Sequence, residues 1–181
     1  MMAERSNRMV TDPALARRFI DTYMAFLGTL VSAKDKQNKR PTEWLAIGRE
    51  RFTEEPETLE AYRAKIQTAD TEMLDAIESL QVRRWVYLKD TTTYSVWVDD
   101  KCEQAYGVLG LTEFMRDLVP GGSGAALHTG LIALGGRWVT DGLFEAPVLL
   151  GPGYRRDFTA AYQRLRKAGS FSLGPTGTAS D

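Results

Sequence analysis

The sequence predicts an α+β protein in which about three N-terminal helices precede a mostly antiparallel sheet of five or six strands, and a C-terminal helix packs on one face of that sheet. Up to residue 80 the apolar residues recur every three or four positions, as in amphipathic helices. After Gln81 the period changes to two, as in half-buried strands. After Gly151-Pro152-Gly153 the helical spacing returns.

The first helix is predicted over residues 13–33. Thr11 and Asp12 are capping residues, and Pro13 suits the first turn, where its missing N–H is not needed. A charged linker follows from Lys34 to Arg40. Thr42 opens a short second helix, and a third runs from about residue 53 to residue 80 with an apolar seam and an acidic face.

Strands are predicted next, and each is bounded by turn residues. The first three form a meander, and the last three are joined at Gly135-Gly136 and Asp141-Gly142. A helix over residues 111–119 and a glycine loop from Pro120 to Gly124 separate the two groups. The six predicted strands cover residues 85–88, 94–98, 105–109, 126–134, 137–140 and 143–150.

The last helix is predicted over residues 154–168, ending at Gly169. Residues 1–10 and 170–181 are polar or small and are expected to be disordered tails. The helical part, residues 11–80, and the sheet part, residues 81–169, are expected to form one compact domain. A self-contained N-terminal bundle is the alternative.

Composition narrows the classes of function. The chain has 181 residues and a formal net charge of −1, so no overall electrostatic preference for nucleic acid or membrane exists. It has one cysteine, no signal-peptide pattern and no apolar run long enough to span a bilayer, so we expect a cytoplasmic location.

The best candidate for a binding site is an anion site at the start of the last helix. Gly151 and Gly153 leave backbone N–H groups accessible at the positive end of a helix, where Arg155 and Arg156 add two guanidinium groups. A glycine hinge with two solvent-facing arginines is the alternative interpretation of the same residues.

His128, Arg137 and Asp141 are the candidates for a pocket. Together with Cys102, His128 and Asp141 are also the residue types of a nucleophile, its base and an orienting carboxylate. However, Cys102 lies in an acidic turn that raises the pKa of its thiol, which works against a thiolate. No catalytic residue is therefore assigned. One histidine and one cysteine are too few for most zinc sites, so neither a metal nor a cofactor is predicted.

The favoured function is a non-enzymatic binding or regulatory module that recognises a protein partner or a small anionic ligand. A less favoured alternative is nucleic-acid binding through the basic last helix, the arginines at 83, 84 and 137, and exposed aromatic platforms at Tyr87, Trp97 and Trp138. Aromatic residues in strands are, however, usually core residues. A third hypothesis is a small hydrolase or transferase using His128 and Asp141. Self-association is compatible with an unprotected sheet edge.

Overall fold

A computed structural model describes residues 9–175. The chain divides into two compact units, which are described here one at a time. The first unit is helical and spans Pro13–Leu80. The second contains the sheet and consists, within the described residues, of residues 9–12 and 81–175.

The helical unit contains five helices where about three were predicted. One helix lies in the predicted linker, and the predicted third helix is divided into two; together these account for the difference. The helices are α1 (Pro13–Thr29), α2 (Ala33–Lys36), α3 (Pro41–Glu54), α4 (Thr58–Lys65) and α5 (Thr71–Glu78).

The predicted charged linker contains the short helix α2. Ser32 accepts a hydrogen bond from the Asp35 backbone N–H, and the Asp35 carboxylate accepts one from the Ser32 backbone N–H. This reciprocal capping box stabilises a helix of four residues, which is too short to be stable by itself. Arg51 binds the same carboxylate at 2.8 Å and holds the pKa of Asp35 well below its usual range.

The predicted long third helix is interrupted between Ile66 and Asp70. The Asp70 carboxylate accepts a hydrogen bond from the Met73 N–H and so starts α5 as its N-cap. A side chain that satisfies the first turn of a new helix competes with continuation of the old one. Arg18 of α1 binds the same Asp70 at 2.9 Å and also pairs with Glu72.

The sheet unit has seven strands among the described residues, and its sheet is mixed, so the prediction of a mostly antiparallel sheet needs correction. Two contacts of β3 are parallel, one with β5 and one with β7. The strands are β1 (Gln81–Asp90), β2 (Ser95–Asp99), β3 (Ala105–Leu109), β4 (Ala125–Leu134), β5 (Arg137–Thr140), β6 (Glu145–Leu149) and β7 (Phe171–Ser172).

Five of these strands close into a ring. The pairings run β1–β2–β3–β5–β4, and β4 pairs with β1 again over seven residue pairs, from Gln81↔Leu131 to Tyr87↔Ala125. The short helix α6 (Met115–Leu118) connects β3 to β4. A five-stranded Greek-key barrel of this kind has the connectivity of the OB-fold. β6 lies outside the ring and pairs with β4.

The barrel interior is filled by aromatic side chains. Trp85, Tyr87 and Trp97 are fully buried there, and Tyr106 and Trp138 complete a row of ring contacts with centroids 5.3 to 6.4 Å apart. Met115 of α6 packs against the same cluster. Tyr87, Trp97 and Trp138 are therefore core residues, as aromatic residues in strands usually are, and they do not form the exposed platforms of the nucleic-acid hypothesis.

The outer face of β1 to β3 is covered by the last helix, α7 (Pro152–Lys167), and by the segment after it. Tyr162 and Leu165 of α7 pack with Phe171 over Val96 and Val98. β7 pairs with the start of β3, and the Trp138 N–H donates to the Leu173 carbonyl at 3.0 Å.

Parts of both expected disordered tails are ordered. Val10 bridges to Gly110, and the Thr11 N–H donates to the Gly110 carbonyl at 2.9 Å. Residues 170–175 include β7. The rest of the two tails lies outside the described residues.

We predict that Phe171→Ala lowers the free energy of unfolding by about 3–5 kcal/mol, because its ring packs between Tyr94 and Tyr162 and leaves a cavity when removed. Urea unfolding followed by tryptophan fluorescence measures the loss. Phe171→Leu, which keeps most of the volume, should lose less. Equal, small losses in both variants would show that this segment does not pack as described.

We also predict that Tyr87 makes the barrel sensitive to alkali. Burial, with a 2.8 Å hydrogen bond from its hydroxyl to Asp90, raises the pKa of Tyr87 above its usual range. The folded state then holds the proton more tightly than the unfolded state, so this stabilisation is complete below about pH 10 and declines as the pH rises further.

In Tyr87→Phe, the stability measured by urea unfolding should fall less steeply between about pH 9 and pH 11 than in the parent protein. Tyr154→Phe, at an exposed tyrosine, is the matched control. Identical slopes in the parent and in Tyr87→Phe would refute the assignment.

Candidate functional site

The candidate site is the junction between β6 and α7. It comprises residues 145–156, and we call it the β6–α7 corner. Gly151 is the N-cap of α7 and has no side-chain cap hydrogen bond. Pro152 occupies the first turn, which its fixed φ suits. The corner therefore joins an outer strand of the sheet directly to a helix N-terminus.

Apolar side chains are exposed at this corner. Val148 is 52% exposed, Leu149 is 59% exposed and Tyr154 is 67% exposed. All five residues of β6 are exposed. Large apolar side chains grouped on a surface are typical of interaction sites, whereas scattered ones are ordinary.

One edge of β6 is paired with β4 and the other has no strand partner among residues 9–175. Ala125 pairs with Leu149, Ala126 pairs with Val148, and the Leu150 N–H donates to the Gly124 carbonyl at 2.8 Å. Because antiparallel ladders alternate, the backbone groups of Leu149 point away from β4. Between Val148 and Glu145 the register with β4 shifts, and Ala146 has a φ of +47°, so β6 is bulged around Pro147. Proline in a strand is typical of such an edge.

The predicted anion-site residues are contiguous at the corner, but they do not act alike. Arg155 donates from Nη2 to the Ser123 carbonyl at 2.6 Å. Its guanidinium lies directly against Gly124, where a Cβ would overlap it. Arg155 therefore fastens the glycine loop to the helix. Gly151 and Gly153 face open space, and Arg156 is exposed.

The predicted pocket residues occupy three separate places. His128 lies within β4, with Arg84 and Glu145 as its cross-strand neighbours. The carboxylate of Asp141 is buried, and it accepts from Thr129 Oγ1 and from the N–H groups of Gly130 and Leu143 at 3.0 to 3.3 Å.

His128 and Thr129 are adjacent in β4, so their side chains point to opposite faces. Asp141 is thus bound on the face away from His128. Arg137 begins β5 and donates from Nε to the Leu173 carbonyl at 3.2 Å, while Asp141 follows the other end of that strand. The structure does not bring these three residues together.

The other candidates have structural contacts of their own. Cys102 is a free cysteine, and burial together with Asp99 raises the pKa of its thiol, as the acidic turn predicted. Arg164 donates to the Cys102 carbonyl, and Arg166 lies over the rings of Tyr162 and Phe171. Two of the basic residues of α7 are therefore held by contacts within the sheet unit.

A cavity of about 260 Å³ lies between β3, β5 and the chain after α7. Gln104, Tyr106 and Trp138 line it on the barrel side, and residues 169–172, 174 and 175 line it on the other. Within residues 9–175, no group of three or more His, Cys, Asp or Glu side chains is placed to hold a metal ion.

Comparison with known protein families, with curated proteins and with solved structures gave no match. Among the helices of the described residues, none has both the length and the apolar character needed to cross a membrane.

Sequence reasoning missed the exposed apolar residues of the corner. The run Val148-Leu149-Leu150 was assigned to a strand of the sheet without regard to which of its edges or faces stays open. Pro147 was the available signal, because proline within a strand indicates an edge.

We predict that the contact between Arg155 and Gly124 can be measured by comparing two glycines of one loop. Gly122 and Gly124 both have positive φ, +72° and +80°, but only Gly124 has Arg155 against it. Gly122→Ala should cost about 1 kcal/mol for its backbone conformation alone. Gly124→Ala should cost roughly 1–2 kcal/mol more, because Arg155 must move.

A double-mutant cycle with Arg155→Ala tests the cause. In that background the difference between the two alanine variants, measured by urea unfolding, should disappear. A difference that survives the loss of Arg155 would mean that the guanidinium is not responsible.

Proposed function

We propose that this chain is a non-enzymatic binding module that docks a protein partner at the β6–α7 corner. One observation carries the proposal. Among the large apolar side chains that are exposed within residues 9–175, three of the four fall between Val148 and Tyr154, and the fourth is Met24 in the helical unit. Exposing them to water is unfavourable, and a partner's surface would remove that cost.

The composition around these residues suits a protein interface. Val148, Leu149 and Tyr154 lie within seven residues of the chain, and the charged residues Glu145 and Arg156, which flank them in sequence, are also exposed. Protein interfaces commonly have an apolar centre, aromatic anchors and a polar rim. Tyrosine in particular supplies a large contact area together with a hydroxyl.

The same corner gives less support to a small free anion as the ligand. Arg155, one of its two cations, is fastened to the Ser123 carbonyl. The helix N-terminus and Arg156 are then the groups that remain for a ligand. These groups suit a carboxylate presented by a protein surface, because a protein brings apolar contacts as well.

Two further observations argue against nucleic acid as the ligand of this chain. Barrels of this connectivity bind oligonucleotides on the face of strands 2 and 3. Here the outward side chains Val96 and Val98 are fully buried beneath α7 and Phe171. Tyr87, Trp97 and Trp138 lie inside the barrel, so they offer no surface on which bases would stack.

The proposal predicts site-specific photo-crosslinking in cells of the organism that encodes this chain. A photoreactive phenylalanine analogue in place of Tyr154 should give a covalent adduct with a protein, detected by gel shift and identified by mass spectrometry. The same analogue in place of Met24, an apolar residue exposed on the helical unit, is the matched control.

Adding Leu149→Asp should abolish the adduct at position 154, because it replaces one of the three exposed apolar side chains of the corner with a charge. Circular dichroism of the purified variant checks that the fold is retained. Failure to form any adduct at position 154, or equal adducts at 154 and 24, would overturn the proposed function.

A further inference from the structure

We infer that the end of the barrel at which β3 and β5 begin binds a small organic acid, whose carboxylate is received by Arg83 and by the hydroxyl of Tyr106. The site is the cavity of about 260 Å³ between Gln104, Tyr106, Trp138 and the chain after α7, which we call the barrel mouth. No residue of the β6–α7 corner lines this cavity. The inference therefore goes beyond the proposed function and does not depend on it.

The barrel mouth is walled by the aromatic interior on one side and by the segment after α7 on the other. Tyr106 and Trp138 belong to the interior cluster. β7 pairs with the start of β3, and the Trp138 Nε1–H donates to Ser172 Oγ at 2.8 Å, which holds the second wall in place. The mouths of β-barrels are common ligand sites, and a space of this size suits a molecule of roughly ten non-hydrogen atoms.

The hydroxyl of Tyr106 lacks a protein partner although the residue is almost completely buried. Tyr106 is 8% exposed and lines the cavity. Its ring is held edge-on by Trp85 and Trp138, with centroids 5.4 and 5.3 Å away. Within residues 9–175 the hydroxyl forms no hydrogen bond, and it is not sealed from solvent. Since buried polar groups are generally paired, a hydroxyl fixed beside a cavity is placed to donate to a ligand oxygen.

Arg83 supplies positive charge at the same end of the barrel. It lies two residues before Trp85, on the same face of β1, and its guanidinium is 5.8 Å from the centre of that ring. Its side chain is exposed and makes no hydrogen bond or ion pair with the described part of the chain. Burial raises the pKa of the Tyr106 hydroxyl, and Arg83 opposes that rise more strongly than Asp99 adds to it. The guanidinium charge therefore acts at the hydroxyl.

The other charges at this end leave an anion favoured over a cation. Asp99 is 1% exposed, and its Oδ1 accepts from the N–H groups of Glu103 and Gln104 at 2.7 and 3.1 Å. Lys101 and Glu103, in the same turn, are exposed and of opposite sign. None of the described residues that line the cavity is acidic. The side-chain amide of Gln104, which has no hydrogen bond among residues 9–175, can donate to the second carboxylate oxygen.

The walls also indicate the rest of the ligand. Trp138, Phe171 and Pro175 contribute apolar surface, whereas the hydrogen-bonding groups Tyr106 and Gln104 lie on the barrel side. A carboxylate joined to a compact apolar body meets both conditions. Acids with long chains or several charges exceed the space and the single guanidinium.

Benzoate is the probe for the test, because it joins a carboxylate to a compact apolar ring. Benzamide has the same shape without the charge, and benzylamine has the opposite charge. In titrations of the full chain followed by NMR, benzoate should shift the indole N–H resonance of Trp138 and reach saturation. Benzamide should bind roughly tenfold more weakly, because its hydrogen bonds are no longer charge-assisted. Benzylamine should not bind.

Two neighbouring arginines provide a matched pair of variants. Arg83→Gln should weaken benzoate binding roughly tenfold or more, because the charged donor is lost. Arg84→Gln is the control: Arg84 is also exposed and has no ion pair among the residues that the structure describes, but as the next residue of β1 it points to the opposite face. Its loss should leave benzoate binding unchanged.

Tyr106→Phe separates binding from stability. It should weaken benzoate binding roughly tenfold, while the free energy of unfolding in urea stays the same, because the hydroxyl has no protein partner to lose. A hydroxyl with a structural role would instead lower the stability on removal.

The outcomes decide the inference in either direction. Saturable binding of benzoate that depends on Arg83 and Tyr106, but not on Arg84, supports it. It is overturned if benzoate causes no shift up to its solubility limit, if the three probes bind equally, or if the two arginine variants lose the same affinity. Full binding in Tyr106→Phe would also overturn it, because the acid would then lie elsewhere. None of these results bears on the β6–α7 corner, which is tested through Tyr154.

Discussion

The pairing of β1 with β4 is the constraint on which the rest of the sheet unit depends. Seven residue pairs join the two strands and turn a sheet with two free sides into a closed ring. Closure gives the aromatic side chains of β1, β2 and β3 a shared interior away from water. It also means that β1 is hydrogen-bonded along both of its sides and is covered at both faces around Trp85 to Leu88.

Closure also determines which surfaces remain for binding. The outward side chains of β1 to β3 are apolar, so they need a second cover, and α7 with Phe171 provides it. For α7 to lie there, the chain must leave the barrel after β5 and return across it. β6 is the strand that makes this return, and it runs outside the ring. The β6–α7 corner is thus exposed because β6, which lies outside the ring, connects the barrel to the last helix.

Periodic patterns of apolar residues predicted individual strands and helices well, because these elements depend mainly on residues that are close together in the sequence. β3 and β5 have the predicted bounds, 105–109 and 137–140. Ring closure was not predictable, since a period of two indicates which face a residue takes but not which strand lies beside it. For the same reason the sequence left open whether Trp97 lies in the core or on an exposed face. The break at Asp70 was not predicted, because the regular apolar seam on both sides of it favours one continuous helix.

In the candidate site, too, the local structure was predictable from the sequence and the contacts between distant residues were not. That Gly151 to Arg156 form a helix start was visible in the sequence, whereas the Arg155 contact with Ser123 joins residues 32 positions apart and depends on Gly124 having no side chain. Pro147 also affects the tendency of β6 to aggregate. An edge strand that lacks a donor at its centre is a poor template for continued strand addition, so the exposed apolar run of β6 is protected against growth into aggregates.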